Sequence, residues 1–199
     1  RSGKSRFAEQ YVARAGSRIG YIATAEVYDE EMAFRVKLHR QRRPSDWKTY
    51  EAPHDAHLAL KEAGGECDAV LFDCLTLYMS NLLCSLDSIA DSHQNYSLAK
   101  EKLDALIAQA RENEGTTVFV TNEVGSGIVP GDHLSREYRD VAGIANQWMA
   151  RAADDLPAEG GTLSGGRPGR EDTGEGAGTG TRGTRRLLTA VSVLLTIFL

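Results

Sequence analysis

Short apolar runs alternate along this chain with segments whose apolar residues recur every three or four positions, and the alternation holds to about residue 154. Residues 6–15 carry Phe7, Tyr11 and Val12 on one helical face. Ile19-Gly-Tyr-Ile-Ala-Thr24 is a short apolar run ending in small polar residues. The spacing predicts a helix over 29–42, with Met32, Val36 and His39 in line, and another over 53–63 with Pro53 in its first turn. Ala69-Val-Leu-Phe-Asp73 reads as a buried strand ending in a carboxylate, followed by a helix over 75–86. Residues 98–112 are helical, with Leu103, Leu106, Ile107 and Ala110 on the apolar face. Thr116-Thr-Val-Phe-Val-Thr121 is a second buried strand, and 134–153 closes the set with Leu134, Val141, Ile144, Ala145, Trp148 and Met149 at helical spacing. Strands alternating with helices predict one α/β domain over 1–154, a mostly parallel sheet covered by helices on both faces. Ligands gather beyond the carboxyl ends of such strands. Thr24, Asp73 and Thr121-Asn122-Glu123 lie at those ends.

The pattern stops at residue 155. The following stretch is rich in Gly with scattered Arg, Glu and Thr and has no period, so 155–199 is expected to be a disordered tail. Its last part, Arg185-Arg186 and the apolar run over 187–199, is shorter than the roughly 20 residues a bilayer span needs. It is read as sequence foreign to the domain, such as a reading-frame slip, ahead of the stump of a membrane segment. On this reading the sheet lacks its first and last strands, and the chain as written is expected to fold poorly or act weakly.

Composition narrows the function. A length of 199 residues suffices for one domain, and a net charge of −5 with no basic stripe speaks against a nucleic-acid partner. Cys67, Cys74 and Cys84 form no Cys-x-x-Cys pair and no His/Cys ligand spacing. They are expected to be buried thiols in a reducing, cytoplasmic compartment.

The candidate chemistry begins at the first residue. Arg1-Ser2-Gly3-Lys4-Ser5 is the back half of a phosphate-binding loop, whose full pattern is Gly-x-x-x-x-Gly-Lys-Ser/Thr. The leading Gly and its strand are missing, so the chain is read as beginning inside the loop. At the start of the first helix, Lys4 is expected to serve the triphosphate and Ser5 the Mg²⁺. Asp73 is placed to act on Mg²⁺ through water or as base toward a substrate hydroxyl; the alternative is a helix N-cap. His39 precedes Arg40, Arg42 and Arg43. A neutral imidazole is a competent nucleophile near pH 7, and the cations would neutralise phosphate; the alternative is a surface histidine beside a solvated basic run. Asn122 and Glu123 either polarise a phosphate or build a turn. Asp29, Glu30 and Glu31 read as favourable first-turn charges, and His54, His57, His93 and His133 as surface or capping residues.

The motifs, in order, resemble a known family. They are Arg1 to Ser5, Tyr21-Ile-Ala-Thr24, Asp29-Glu-Glu-Met32, His39 with Arg40 and Arg43-Pro44, Trp47, Asp73-Cys-Leu-Thr76, Ser80-Asn81-Leu82-Leu83, Val120-Thr-Asn-Glu-Val-Gly125, Gly127-Ile-Val-Pro130 and Arg139-Asp-Val-Ala-Gly143. Over about residues 1–154 the chain resembles the bifunctional adenosylcobinamide kinase / adenosylcobinamide-phosphate guanylyltransferase family of cobalamin biosynthesis. The resemblance implies a RecA-like P-loop NTPase fold and two reactions. Adenosylcobinamide is phosphorylated by ATP or GTP; GMP then passes from GTP to the product through a guanylylated histidine, here His39. It implies nucleotide contacts at Arg1, Ser2, Gly3, Lys4, Ser5, Ala23, Thr24, Ala25, Arg40, Gln41, Arg42, Arg43, Glu51 and Asp73. Mg²⁺ would be held by Ser5 and Asp73, and the assembly would be a homo-oligomer, a trimer. The chain departs from the family near Gln41 and Arg42, where a Gly is usual. Two other readings are a single-step P-loop small-molecule kinase with His39 incidental, and a non-catalytic nucleotide-dependent binding module.

Overall fold

A computed structural model describes residues 4–86, 91–125, 127–154, 158–159 and 186–192, with backbone alone for 42, 158–159 and 186–192. In chain order its elements are α1 (Lys4–Ala15), β1 (Ile19–Ala23), α2 (Glu30–Arg42), β2 (Lys48–Glu51), α3 (Ala56–Glu66), β3 (Ala69–Asp73), α4 (Leu75–Cys84), α5 (Ser92–Glu112), β4 (Thr116–Asn122), α6 (His133–Ala152), β5 (Ala158–Glu159) and β6 (Arg186–Ser192). The strands form one sheet in the order β2-β1-β3-β4-β6-β5, and every pairing is parallel.

The three central runs are buried and largely apolar because both of their faces are covered. Ile22, Val70, Phe72 and Phe119 point to one face, against α3, α4, α5 and α6. Tyr21, Ala23, Leu71, Val118 and Val120 point to the other, against Ala8 and Val12 of α1. The two-residue period of a strand sorts neighbours onto opposite faces. Phe72 is the centre of the larger cluster, with ring centroids 5.8 Å from Tyr78 and 4.9 Å from Phe119.

Helix starts follow their caps. Asp29 accepts from the Met32 N–H at 2.7 Å, and Asp132 from Ser135 at 2.8 Å. Asp91 caps α5 through His93 N–H at 2.9 Å, so that helix starts at Ser92, ahead of the apolar run that announced it at Leu98. The strand β2 has no sequence counterpart. Of its four residues only Tyr50 is buried, and a short edge strand ending in charges lacks an apolar signature.

The expectation that nothing beyond residue 154 joins the sheet needs correction. Residues 186–192 run parallel to β4, from Thr116↔Arg186 to Asn122↔Ser192, and 158–159 pair outside them. A β-prone apolar run beside an open backbone ladder satisfies N–H and C=O groups that would otherwise lie unpaired. The expectation of disorder for 160–185 and 193–199 falls outside the described residues.

At the amino end of the sheet Asp68 gathers the loop before β1. It accepts from Ser17 Oγ at 2.8 Å, Arg18 N at 3.0 Å and Arg18 Nη2 at 2.7 Å. The turn into β4 presses on the same residue. A Cβ on Gly115 would stand 2.1 Å from the Asp68 carbonyl oxygen, so only glycine fits. Hydrogen bonds from the Arg18 side chain and backbone hold the Asp68 carboxyl well below its ordinary value of 3.8. A carboxylate with a depressed folded pKa contributes stability above the unfolded pKa, and that contribution is lost as the pH falls. The thermal midpoint should therefore drop on acidification from about pH 5 to about pH 2, with a shallower drop in Asp68→Asn. Parallel curves for the two proteins would reject this role for Asp68.

Candidate active site at the carboxyl edge of the sheet

Parallel pairing brings the carboxyl ends of the strands to one edge, and the edge is tied together by side chains. Thr24, fully buried after β1, donates from Oγ1 to the Cys74 carbonyl at 2.8 Å and accepts from the Cys74 N–H at 2.8 Å. Its own N–H donates to the Asp73 carbonyl at 3.2 Å. Asn81 of α4 donates to the Thr24 carbonyl at 2.7 Å and to that of Pro53 at 3.1 Å. The ends of β1 and β3 are thereby locked, and polar backbone groups left over by the strands are satisfied.

Asp73 is the last residue of β3, and its Oδ2 accepts from the Tyr21 phenol at 2.9 Å. The N-cap of α4 is Cys74, without a side-chain cap bond, so the capping alternative for Asp73 does not hold. Burial, reinforced by Asp73, raises the Tyr21 phenol far above its ordinary pKa, so it stays a donor. Burial also pushes the Cys74 thiol up to about 11, which leaves it protonated and unsuited to nucleophile or metal-ligand duty. Cys67 is buried as expected, whereas Cys84 is exposed.

Lys4 and Ser5 open α1, where unpaired N–H groups and the helix dipole favour anions. α1 runs back along the sheet into β1, so its start lies at the carboxyl edge, where the Lys4 charge slightly offsets the rise that burial causes in the Cys74 thiol pKa. Glu51 closes β2 in register with Ala23, and Arg40 of α2 forms an ion pair with it. Arg43 stacks its guanidinium 3.7 Å from the centroid of the Tyr21 ring. It also donates to Thr49 Oγ1 at 3.2 Å, with its Nε 3.5 Å from the His39 carbonyl oxygen. His39 itself is half-buried in the last turn of α2, and Ala25 is half-buried beyond Thr24. Gln41 is exposed. Arg1, Ser2, Gly3 and the side chain of Arg42 lie outside the described residues.

The β4 end has a structural part. Asn122 donates to Thr76 Oγ1 at 3.1 Å, while its carbonyl accepts from Asn146 at 2.9 Å. Glu123 accepts from the Gly125 N–H and Arg139 donates to the Gly125 carbonyl, so Glu123 serves the turn. Thr76, Asn81 and Tyr21 belong to the sequence motifs but carry no assigned function there. The usable signal for Tyr21 was a phenol inside an otherwise apolar strand, since a buried tyrosine O–H needs a partner. Among the described residues no group of three or more His, Cys, Asp and Glu could hold a metal ion.

Residues 1–158 match the family described as cobinamide kinase / cobinamide phosphate guanyltransferase. The chain belongs to this family. It is 39% identical over 161 residues to the bifunctional adenosylcobalamin biosynthesis protein CobU of Salmonella typhimurium, covering 78% of this chain and 88% of that protein. The Escherichia coli protein of the same name is 38% identical with the same coverage. The Pseudomonas aeruginosa protein CobP is 40% identical over 154 residues, 77% of this chain and 84% of that protein. The family match spans α1 to α6 and the strands β1 to β4 between them. Phosphoryl and nucleotidyl transfer both call for cations and a carboxylate near the reacting phosphates, and cationic side chains and Asp73 lie along this edge. Among the described residues no helix is long and apolar enough to cross a membrane.

Proposed function

We propose that the chain phosphorylates adenosylcobinamide with ATP or GTP and then guanylylates the product, with Asp73 and Lys4 serving the first step and His39 the second. The observation that supports this most is the single edge shared by Thr24, Glu51, Asp73 and the start of α1, to which Arg43 ties the His39 turn. In the first step the aminopropanol hydroxyl oxygen attacks the γ-phosphorus, its proton passes to Asp73, and the nucleoside diphosphate leaves. Lys4 and the N–H groups of α1 bind the phosphate oxygens. In the second step a ring nitrogen of His39 attacks the α-phosphorus of GTP and pyrophosphate leaves. A phosphate oxygen of adenosylcobinamide phosphate then attacks the guanylyl phosphorus, the P–N bond breaks, and adenosylcobinamide-GDP and free imidazole result. Arg40 and Arg43, with Arg42, offset the phosphate charge. Ala25, Gln41 and Glu51 line the nucleotide, with the buried Ala23 and Thr24 supporting them from beneath and Arg1, Ser2 and Gly3 at its phosphates.

Mg²⁺ fits the donor set. The Ser5 hydroxyl and Asp73 carboxylate are hard oxygen donors, and this ion is usually held by one or two carboxylates, water and substrate phosphates, without an all-protein cage. When bound, it neutralises phosphate charge. A homotrimeric assembly belongs to the same proposal; Ile128, 94% exposed, and Val129, 63% exposed, are apolar surface available to a second copy. Sedimentation equilibrium tests it, and a monomer at all concentrations would reject it.

Both activities in the family description favour two steps over a single-step kinase or a binding module. The test is incubation with α-labelled GTP. The expected result is a covalent, acid-labile, base-stable GMP adduct with release of one pyrophosphate per adduct. Protein that releases pyrophosphate without retaining label rules out the covalent route.

A further inference from the structure

One aromatic ring lies between the two halves of this edge. The edge of Tyr21 carries the phenol that donates to Asp73 Oδ2 at 2.9 Å. Its face carries the Arg43 guanidinium at 3.7 Å. Arg43 in turn reaches Thr49 and the His39 carbonyl, so it fastens the end of α2 to β2 and β1. The ring itself cannot drift: Tyr21 is 4% exposed, in the middle of an all-buried strand paired on both sides. Neither contact is required by the core. Phenylalanine would fill the same space, and Leu71 beside it in register is wholly apolar.

We propose that Tyr21 is a positioning residue for both reactions: its phenol orients the Asp73 carboxylate for phosphoryl transfer, and its ring face seats Arg43 and with it the His39 turn for guanylyl transfer. This rests on the roles given above to Asp73 and His39. With Oδ2 held by the phenol, the carboxylate plane is set and Oδ1 is directed to the substrate hydroxyl. A carboxylate free to rotate would spend less time in the geometry that accepts the proton. The cation–π contact acts on the other side, at the end of α2, which the exposed Arg40–Glu51 pair and the Arg43–Thr49 hydrogen bond also tie to β2.

The two contacts separate by substitution. Tyr21→Phe removes only the phenol. Its kinase kcat should fall about 10-fold, the size of one hydrogen bond to a charged group, with KM for both substrates unchanged and the rate of GMP adduct formation retained. Tyr21→Met removes the face as well and should also slow adduct formation by about 5-fold, the scale of one cation–π contact. Thermal melts identify variants that stay folded at the assay temperature. If Tyr21→Met does not fold, the split between the two steps in Tyr21→Phe decides alone. A merely structural tyrosine would lower both steps together or neither. Tyr21→Phe with unchanged kinase kcat, or with both steps reduced equally, overturns the inference. Asp73→Asn keeps the foundation separate: it should lose the kinase step, and if it retains kinase activity the role of Asp73, and this inference with it, falls.

Discussion

Replacing His39 with alanine should abolish the GMP adduct and slow guanylyl transfer by roughly 1,000-fold or more, while phosphorylation of adenosylcobinamide should continue near the parent rate. The size follows from the chemistry. On the proposed mechanism the imidazole is the nucleophile that takes the guanylyl group, and without it the remaining cations can only assist a direct attack. Cys74 cannot substitute, because burial keeps its thiol protonated. The kinase step should be spared because the groups proposed for it, Lys4 and Asp73, sit at α1 and β3, and the His39 contact seen with Arg43 is made by the backbone carbonyl, which alanine retains. The measurement uses two labels on one preparation: α-labelled GTP for the adduct and γ-labelled ATP for the kinase. Retention of the adduct in His39→Ala would move the nucleophile elsewhere; equal loss of both activities would point to damage to the fold.

Phe72→Ala should cost about 3–5 kcal/mol, a large share of the roughly 5–15 kcal/mol that holds a domain together. Phe72 is fully buried, and its ring meets Tyr78 edge-on at 5.8 Å and Phe119 at 4.9 Å. Alanine leaves a cavity walled by a strand and two aromatic rings that cannot collapse to fill it, and both ring contacts are lost. Both activities should fall with the folded fraction. Phe34 is the control: it is 60% exposed on α2, and its alanine variant should stay within about 0.5 kcal/mol of the parent. Denaturant unfolding reads both. A cost below about 1 kcal/mol for Phe72→Ala would mean that the cluster on that face is not the core of the domain.

The central strands and the helices that cover them were readable from hydrophobic period alone, because burial on both faces leaves no room for polar residues in 69–72 or 118–120. Asp73 stood out for the same reason: a carboxylate at the end of such a run belongs at the edge where parallel strands terminate. The motif order carried the family. What escaped the reading were interactions made across the sheet. Asn81 lies 57 residues from Thr24, and Tyr21 lies 52 from Asp73. Linear pattern reports which face a residue takes, not which neighbour it meets there. β2 went unseen because an edge strand of four mostly exposed residues has no apolar alternation, and β6 because its run was judged by composition before a partner ladder was known. Pairing, register and the contacts of polar tips are properties of the packed chain, since they depend on distances that backbone local preference does not encode.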